Sequence, residues 1–193
     1  MAKSNHIIKR GVDIAVSVIL SILLLPVFII IGAVVRISSM GPVLYWSNRV
    51  GQGGRIFRMP KFRTMKVGTP QVATHLMVDA RSALTPVGAI LRRTSLDEIP
   101  QLWNVLKGEM SLVGPRPALF NQADLIALRE AAGVNDLLPG ITGWAQVNGR
   151  DELEVPAKVR LDKEYLDRQS IFFDLLIVFH TVGKIFYDRN VSH

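Results

Sequence analysis

The sequence predicts an α+β fold: a small membrane-associated domain of mostly helices with short strands, led by a long apolar helical segment. Three observations carry this. Residues 14–35, IAVSVILSILLLPVFIIIGAVV, form a 22-residue run without a charge. Residues 38–58 set short runs such as VLYW and RIFRM among Gly41, Pro42, Gly51, Gly53 and Gly54, a pattern of extended pieces joined by turns. From Ile99 onward, apolar residues recur at helical spacing. The 193 residues allow one domain with its own core, residues 37–193, behind a membrane segment of residues 1–36.

As a helix the uncharged run would measure about 33 Å, enough to cross a bilayer. It is longer than the apolar core of a signal peptide and lacks a small-residue cleavage site. Two features oppose a simple span. Pro26, in the middle, removes an intrahelical hydrogen bond and kinks the helix. Lys3, Lys9 and Arg10 precede the run and Arg36, Arg49 and Arg55 follow it closely, so the positive-inside rule asks for both ends in the cytoplasm. On these grounds a kinked span and a segment that enters, breaks at Pro26 and returns stay equally open. Asp13 stands at the membrane edge, where a carboxylate needs a partner, and pairing with Lys9 or Arg10 is the expected remedy.

Further along, alternation on a strand would aim Lys61 and Arg63 of KFRTMK to one side, toward headgroups, phosphates or solvent. Residues 67–90 are loop-rich, with short helical pieces expected around 71–82. The stretch LRRTSLDEIPQLWNVLKGEMSLVGPRP, residues 91–117, is the most informative. Ser95 and Glu98 have capping-box spacing, and Pro100 is tolerated in a first turn. Ile99, Leu102, Trp103 and Leu106 draw one apolar face, and Gly108 is a stop, which predicts a helix over residues 96–107. Asp97 and Glu98 then lie in its first turn, with Arg92 and Arg93 just upstream. Arg116 sits between Pro115 and Pro117, on a backbone stiffer than a solvated Arg needs and suited to bidentate phosphate binding. Leu119–Ala132 reads as an amphipathic helix closing at Gly133. The run from Ser170 to Tyr187 is too short and too interrupted by Asp174, His180 and Lys184 to span; an interfacial amphipathic helix and a buried core helix both fit it.

Charge and composition narrow the chemistry. Of the net charge of +7, the excess falls in residues 36–117, with twelve Lys/Arg against four Asp/Glu. Such a belt suits an anionic bilayer or a phosphate-bearing substrate; nucleic acid is the weakest option because no helix-turn-helix, zinc-finger or aromatic RNA-binding pattern accompanies it. Cysteine is absent, and His6, His75, His180 and His193 show no ligand spacing. Adjacent carboxylates on a helix diverge by roughly 100°, whereas the two carboxyls of a glycosidase flank a bond from opposite sides. A division of labour suits Asp97 and Glu98 better: one attacks phosphorus, the other holds a hard cation on a diphosphate.

These residues resemble a known family. Lys9-Arg10 with Asp13, the Pro-broken apolar segment, KFRTM at 61–65, the Asp97-Glu98 pair, PRP at 115–117 and PGITGWAQVNGR at 139–150 together look like the bacterial monotopic phosphoglycosyl transferases, over nearly the whole chain. The resemblance implies a re-entrant membrane hairpin broken at Pro26 and a monotopic domain on the cytoplasmic face of the bacterial inner membrane. It also implies transfer of a sugar-1-phosphate from a UDP-sugar to undecaprenyl phosphate, opening O-antigen, capsule or glycoprotein glycan assembly. Asp97 would carry a covalent phosphosugar, Glu98 would bind Mg²⁺, and Arg92 and Arg116 would hold phosphate oxygens, with Lys61 facing phosphates or headgroups. PGITGWAQVNGR is either turn punctuation or a wall of the nucleotide-sugar pocket, offering backbone N–H groups at Gly140, Gly143 and Gly149, an amide from Gln146 or Asn148 and the cation of Arg150. Asp151-Glu152 and Val155-Pro156 depart from the usual family pattern; GRDE with Asn121-Gln122 resembles a subgroup that includes enzymes for 6-deoxy-N-acetylhexosamines. The partners implied are the UDP-sugar, polyprenyl phosphate and membrane lipid, with a homodimer left open. The competing reading is a non-catalytic basic membrane scaffold that grips anionic lipid or a partner.

Overall fold

The computed structural model describes residues 3–70, 82–149 and 153–187. The helical pieces expected around 71–82 lie almost wholly outside these residues, as do His75, Arg150, Asp151, Glu152 and His193.

The uncharged run becomes two helices, α1 (Lys3–Leu23) and α2 (Leu25–Ser38), bent by 60°. The break falls at Leu24, and Pro26 occupies the first turn of α2. Pro26 has no N–H to offer the Ile22 carbonyl one turn back, and the bend makes room for its ring. Among the described residues no single helix is long and apolar enough to cross a membrane; the bent pair together has the length and composition.

After α2, β1 (Leu44–Val50) and β2 (Ile56–Phe62) form an antiparallel ribbon in register from Leu44 opposite Phe62 to Val50 opposite Ile56. Its connection turns through Gly53 and Gly54, whose φ angles of 64° and 76° suit residues without a Cβ. Next come α3 (Gly88–Arg93), a 3₁₀ turn (Leu96–Gln101) and α4 (Leu102–Lys107). The short strand β3 (Ser111–Val113) then runs parallel to β4 (Gly140–Thr142), with α5 (Ala123–Ala131) between them in sequence. The short α6 (Trp144–Val147), α7 (Val155–Arg168) and α8 (Ile171–Tyr187) follow. The architecture is α+β, as expected.

Three expectations change in detail. The single helix over 96–107 is split, because Pro100 sits within a 3₁₀ turn and the α-helical ladder begins only at Leu102. A change from three to 3.6 residues per turn shifts the apolar stripe, and Trp103 is left exposed. The capping box does not form: Ser95 is left-handed, with φ 56°, and makes no side-chain cap bond, while the Glu98 carboxylate turns to two cations that outcompete a backbone N–H. The helix expected from Leu119 starts at Ala123, since Leu119 bridges to Arg49 and gives its N–H to the Gln122 side chain at 2.9 Å. Gly108 and Gly133, at φ 86° and 72°, end α4 and follow α5 as the sequence predicts.

Both arms of the bent pair are tied to the rest of the chain. Arg10 donates to the carbonyls of Val105 and Leu106 in the last turn of α4, at 2.6 and 3.1 Å. Lys9 pairs with Asp174 of α8 at 2.6 Å and donates to the Val113 carbonyl at 3.2 Å. Asp13 accepts from the Ser111 hydroxyl at 2.8 Å and the Leu112 N–H at 3.2 Å. The expected pairing of Asp13 with Lys9 or Arg10 is thus replaced: buried acceptors across the interface claim both bases, and β3 supplies the donors for Asp13. On the other arm, Ile31 and Val35 of α2 pack against Phe62 and Leu91. α8 is two-faced: Phe173 and Ile177 join Val113 and Tyr165 in a core cluster, while Phe172, Leu175 and Phe179 point outward.

Candidate active site

A cavity of about 450 Å³ opens between the β1–β2 ribbon, the 3₁₀ turn and the segment after β3. The ribbon runs along it. Its Leu44–Phe62 end abuts α2, and its Val50 end packs with Ala118, Leu125 and Val159 beside α5 and α7.

The acid pair lies on this cavity. Asp97 is 6% exposed, and among the described residues its carboxylate accepts no hydrogen bond; its nearest cation is Lys61 at 4.0 Å. Glu98 is held instead. Its Oε1 accepts from Lys61 Nζ at 2.7 Å and from Arg116 Nη2 at 2.9 Å. The two neighbours therefore titrate in opposite directions. Burial works to raise the pKa of Glu98, but Arg116 and Lys61 outweigh it and hold the carboxylate well below the usual range. For Asp97 burial prevails and raises the pKa; Lys61 opposes the rise and the charge of Glu98 adds to it. Burial also lowers the pKa of Lys61, against the pull of Glu98.

Arg116 owes its position to backbone contacts. Prolines 115 and 117 have no N–H, and beside the Gly114 N–H, which donates to Thr142 at 2.9 Å, the carbonyls are the main handles by which the segment is fixed. Four successive ones accept hydrogen bonds: Pro115 from the Gly140 N–H at 2.9 Å, Arg116 from Arg129 at 2.8 Å, Pro117 from Arg49 at 3.1 Å and Ala118 from the Val50 N–H at 2.9 Å. Gly140 and Gly143 allow the close approach behind it. A Cβ at Gly143 would stand 2.0 Å from the Gly114 carbonyl oxygen, and one at Gly140 would stand 2.1 Å from the Gly114 nitrogen.

The other expected site residues are placed unequally. Arg92 lines the cavity, braced by Thr64 at 3.0 Å and Met65 at 3.4 Å. Gln146 lines it too, buried, with its amide donating to the Ile141 carbonyl at 2.9 Å. Asn148 is exposed and outside the lining; it donates to the Trp144 carbonyl at 2.8 Å, closing α6. Gly140 gives its N–H to Pro115 and so has none to offer a ligand. Arg63 is buried and binds the carbonyls of Ser39, Met40 and Pro42, which makes it a clamp on the end of α2 rather than the headgroup or phosphate contact that strand alternation suggested. Arg150 lies outside the described residues. Sequence reasoning missed Arg49, Gln122, Arg129 and Lys158, all on the lining. Gln122 stands only in the Asn121-Gln122 motif, and no local motif marks Arg49, Arg129 or Lys158 as cavity residues, since each reaches the cavity through packing of β1, α5 and α7.

The cavity thus sets a buried carboxylate, with its cation 4.0 Å away, beside a second one gripped by two cations. Residues 4–188 match the bacterial sugar transferase family, and the chain belongs to it. It is 41% identical over 192 residues to a UDP-glucose:undecaprenyl-phosphate glucose-1-phosphate transferase of Escherichia coli, covering 96% of this chain and 41% of that protein. It is 39% identical over 184 residues to a UDP-N-acetylgalactosamine-undecaprenyl-phosphate N-acetylgalactosaminephosphotransferase of Aeromonas hydrophila, covering 92% and 43%. An uncharacterized sugar transferase of Bacillus subtilis, EpsL, is 38% identical over 186 residues, covering 96% and 91%. The chain thus spans about two fifths of the first two relatives and nearly all of the third.

The opposed shifts give a direct test. In a ¹³C carboxyl titration, with the resonance assigned by its loss in Asp97→Asn, Asp97 should have a midpoint above the ordinary Asp value of about 3.9. Lys61→Met should move it higher still, because it removes the charge that favours the anion. A midpoint that stays or falls in Lys61→Met would mean that Lys61 does not act on Asp97.

Proposed function

We propose that the chain is a phosphoglycosyl transferase that moves a sugar-1-phosphate from a UDP-sugar to undecaprenyl phosphate at the cytoplasmic face of the inner membrane. The observation that carries this reading is the Asp97 carboxylate, which accepts no hydrogen bond among the described residues, facing a cavity whose lining, among those residues, holds eight Lys/Arg side chains and two acids. So large a cationic excess suits a diphosphate and not a neutral glycoside. The Escherichia coli and Aeromonas relatives, a glucose-1-phosphate transferase and an N-acetylgalactosaminephosphotransferase acting on undecaprenyl phosphate, support the same reaction class.

In the first step an Asp97 oxygen attacks the sugar-linked phosphorus, the bond from that phosphorus to the bridging oxygen breaks, and UMP leaves with the bond's electron pair. In the second, a phosphate oxygen of undecaprenyl phosphate attacks the same phosphorus and Asp97 departs as carboxylate, leaving undecaprenyl diphosphosugar. Arg116, Lys61 and Arg92 counter the negative charge that builds on the transferring group. Asp97 suits the nucleophile's part because, among the described residues, its carboxylate accepts no hydrogen bond and Lys61 stands 4.0 Å away. Glu98 suits a different part, since Arg116 and Lys61 occupy one of its oxygens and favour its ionised form.

A magnesium ion fits this chain sparingly. Among the described residues no group of three His, Cys, Asp or Glu side chains comes together, so protein ligands would be Glu98 and at most Asp97. Mg²⁺ sites of this kind take one or two carboxylates and complete their shell with substrate phosphates and water. Both hydrogen bonds to Glu98 converge on Oε1, which leaves Oε2 for such an ion. When bound it would neutralise diphosphate charge and orient the leaving phosphate.

The bent helix pair supports a re-entrant membrane segment. α1 is tied to α4, β3 and α8, and α2 to β2 and α3, so both arms return to one domain. From Ile14 to the break at Leu24 the helix is about 15 Å deep, half of a bilayer's apolar core. A segment of that depth with both ends held on one side enters a single leaflet and sets the cavity at the level of a lipid phosphate.

Purified protein with Mg²⁺ and undecaprenyl phosphate should release UMP from at least one donor in a panel of UDP-glucose, UDP-N-acetylgalactosamine and UDP-6-deoxy-N-acetylhexosamine. Asp97→Asn should lower that rate by on the order of 10³-fold or more with an unchanged thermal melt. No release from any donor, or an active Asp97→Asn, would refute the assignment. Cysteines at His6 and Met40 should react with a membrane-impermeant thiol reagent only from the cytoplasmic side; labelling of one from each side would make the segment a span.

A further inference from the structure

Asp162 of α7 is 1% exposed and its Oδ2 accepts two hydrogen bonds from Arg129 of α5, from Nε at 2.9 Å and Nη2 at 2.6 Å. The third arm of that guanidinium, Nη1, donates at 2.8 Å to the Arg116 carbonyl. Arg116 in turn reaches Glu98 Oε1, which Lys61 also holds. Three links thus run from α7 through α5 and the Pro-enclosed segment to the acid pair, the middle one through a backbone carbonyl. Asp162 touches neither acid. Burial prevails and pushes its pKa up, while Arg129 works against that.

We infer that Arg129, oriented by Asp162, is the positioning residue for Arg116: it fixes the carbonyl of Arg116 and thereby the direction in which that side chain meets phosphate. The chemistry requires an Arg. Three N–H vectors in one plane serve a carboxylate on one side and a carbonyl on the other, which a Lys ammonium on a flexible stem does not reproduce. The location is equally specific: Pro115 and Pro117 bring no N–H to either side, and the Arg116 carbonyl between them takes the contact from Arg129. The inference rests on the proposed binding of a nucleoside diphosphate next to Arg116.

UDP with Mg²⁺ is the probe, its affinity measured by calorimetry on the full chain in detergent or nanodiscs. Arg129→Lys should weaken binding about tenfold, as should Arg116→Ala, and the double variant should be no weaker than Arg116→Ala alone, the non-additivity of residues acting through one another. Asp162→Asn, which leaves Arg129 in place with a poorer partner, should weaken UDP in the same non-additive way and serves if Arg129→Lys does not fold. Losses that multiply in the double variant, or wild-type UDP affinity in a folded Arg129→Lys, would overturn the positioning role. Failure of the wild type itself to bind UDP would refute the nucleotide reading and the inference with it. A variant that only loosened the fold would lower the melt without removing the dependence on Arg116.

Discussion

The constraint on which this molecule turns is the fixing of one short backbone segment, Gly114 to Ala118, from several directions. α1 reaches it first: Asp13 and Lys9 hold Ser111, Leu112 and Val113, the strand that leads into it. β4 holds it from behind, with Gly140 and Gly143 allowing backbone to lie on backbone. Arg49 and Arg129 hold it from the ribbon and from α5. A segment with two prolines and four engaged carbonyls has little torsional freedom left, so the Arg116 side chain starts from a defined base. The apolar helix pair and the acid site are therefore one mechanical unit, joined through β3.

At the other end of Arg116, electrostatics assigns the roles of two adjacent acids. A buried carboxylate with only a distant cation is pushed toward protonation; one that accepts two charge-assisted hydrogen bonds is pushed away from it. Asp97 and Glu98 are consecutive in sequence, yet the 3₁₀ turn aims Glu98 at Lys61 and Arg116 and leaves Asp97 bare. The left-handed Ser95 just before them is the only non-glycine among the described residues with positive φ, a strain of about 1–2 kcal/mol. Strain of this kind next to reacting groups is held by the surrounding structure and fixes the geometry of the turn.

Much of this was legible in the sequence where local chemistry decides it. The uncharged run with its proline, the β-type runs between glycines, the acid pair, and Arg116 between prolines all read directly, because each depends on neighbours within a few residues. Pairings across the fold did not. Asp13 faces Lys9 and Arg10 on its own helix, and nothing in their spacing says that Ser111 or Asp174 will claim them. Arg129 and Asp162 lie 33 residues apart on unremarkable amphipathic helices. The capping box failed for a related reason: the spacing of Ser95 and Glu98 is right, but Lys61 and Arg116, distant in sequence, compete for the carboxylate. Asn148 shows the converse, a polar residue in a promising motif whose amide goes to the last turn of its own helix.

The central claim is that the two acids differ in kind, with Asp97 alone forming a bond to phosphorus. Intact-protein mass spectrometry after mixing with a turnover-competent UDP-sugar, without acceptor, tests it most directly. A phosphosugar adduct is expected on the wild type, mapping to the peptide that holds Asp97, persisting in a Lys163→Ala control and disappearing on addition of undecaprenyl phosphate. Absence of any adduct, together with kinetics that require donor and acceptor bound at once, would contradict it and return Asp97 to the role of a base or a cation ligand.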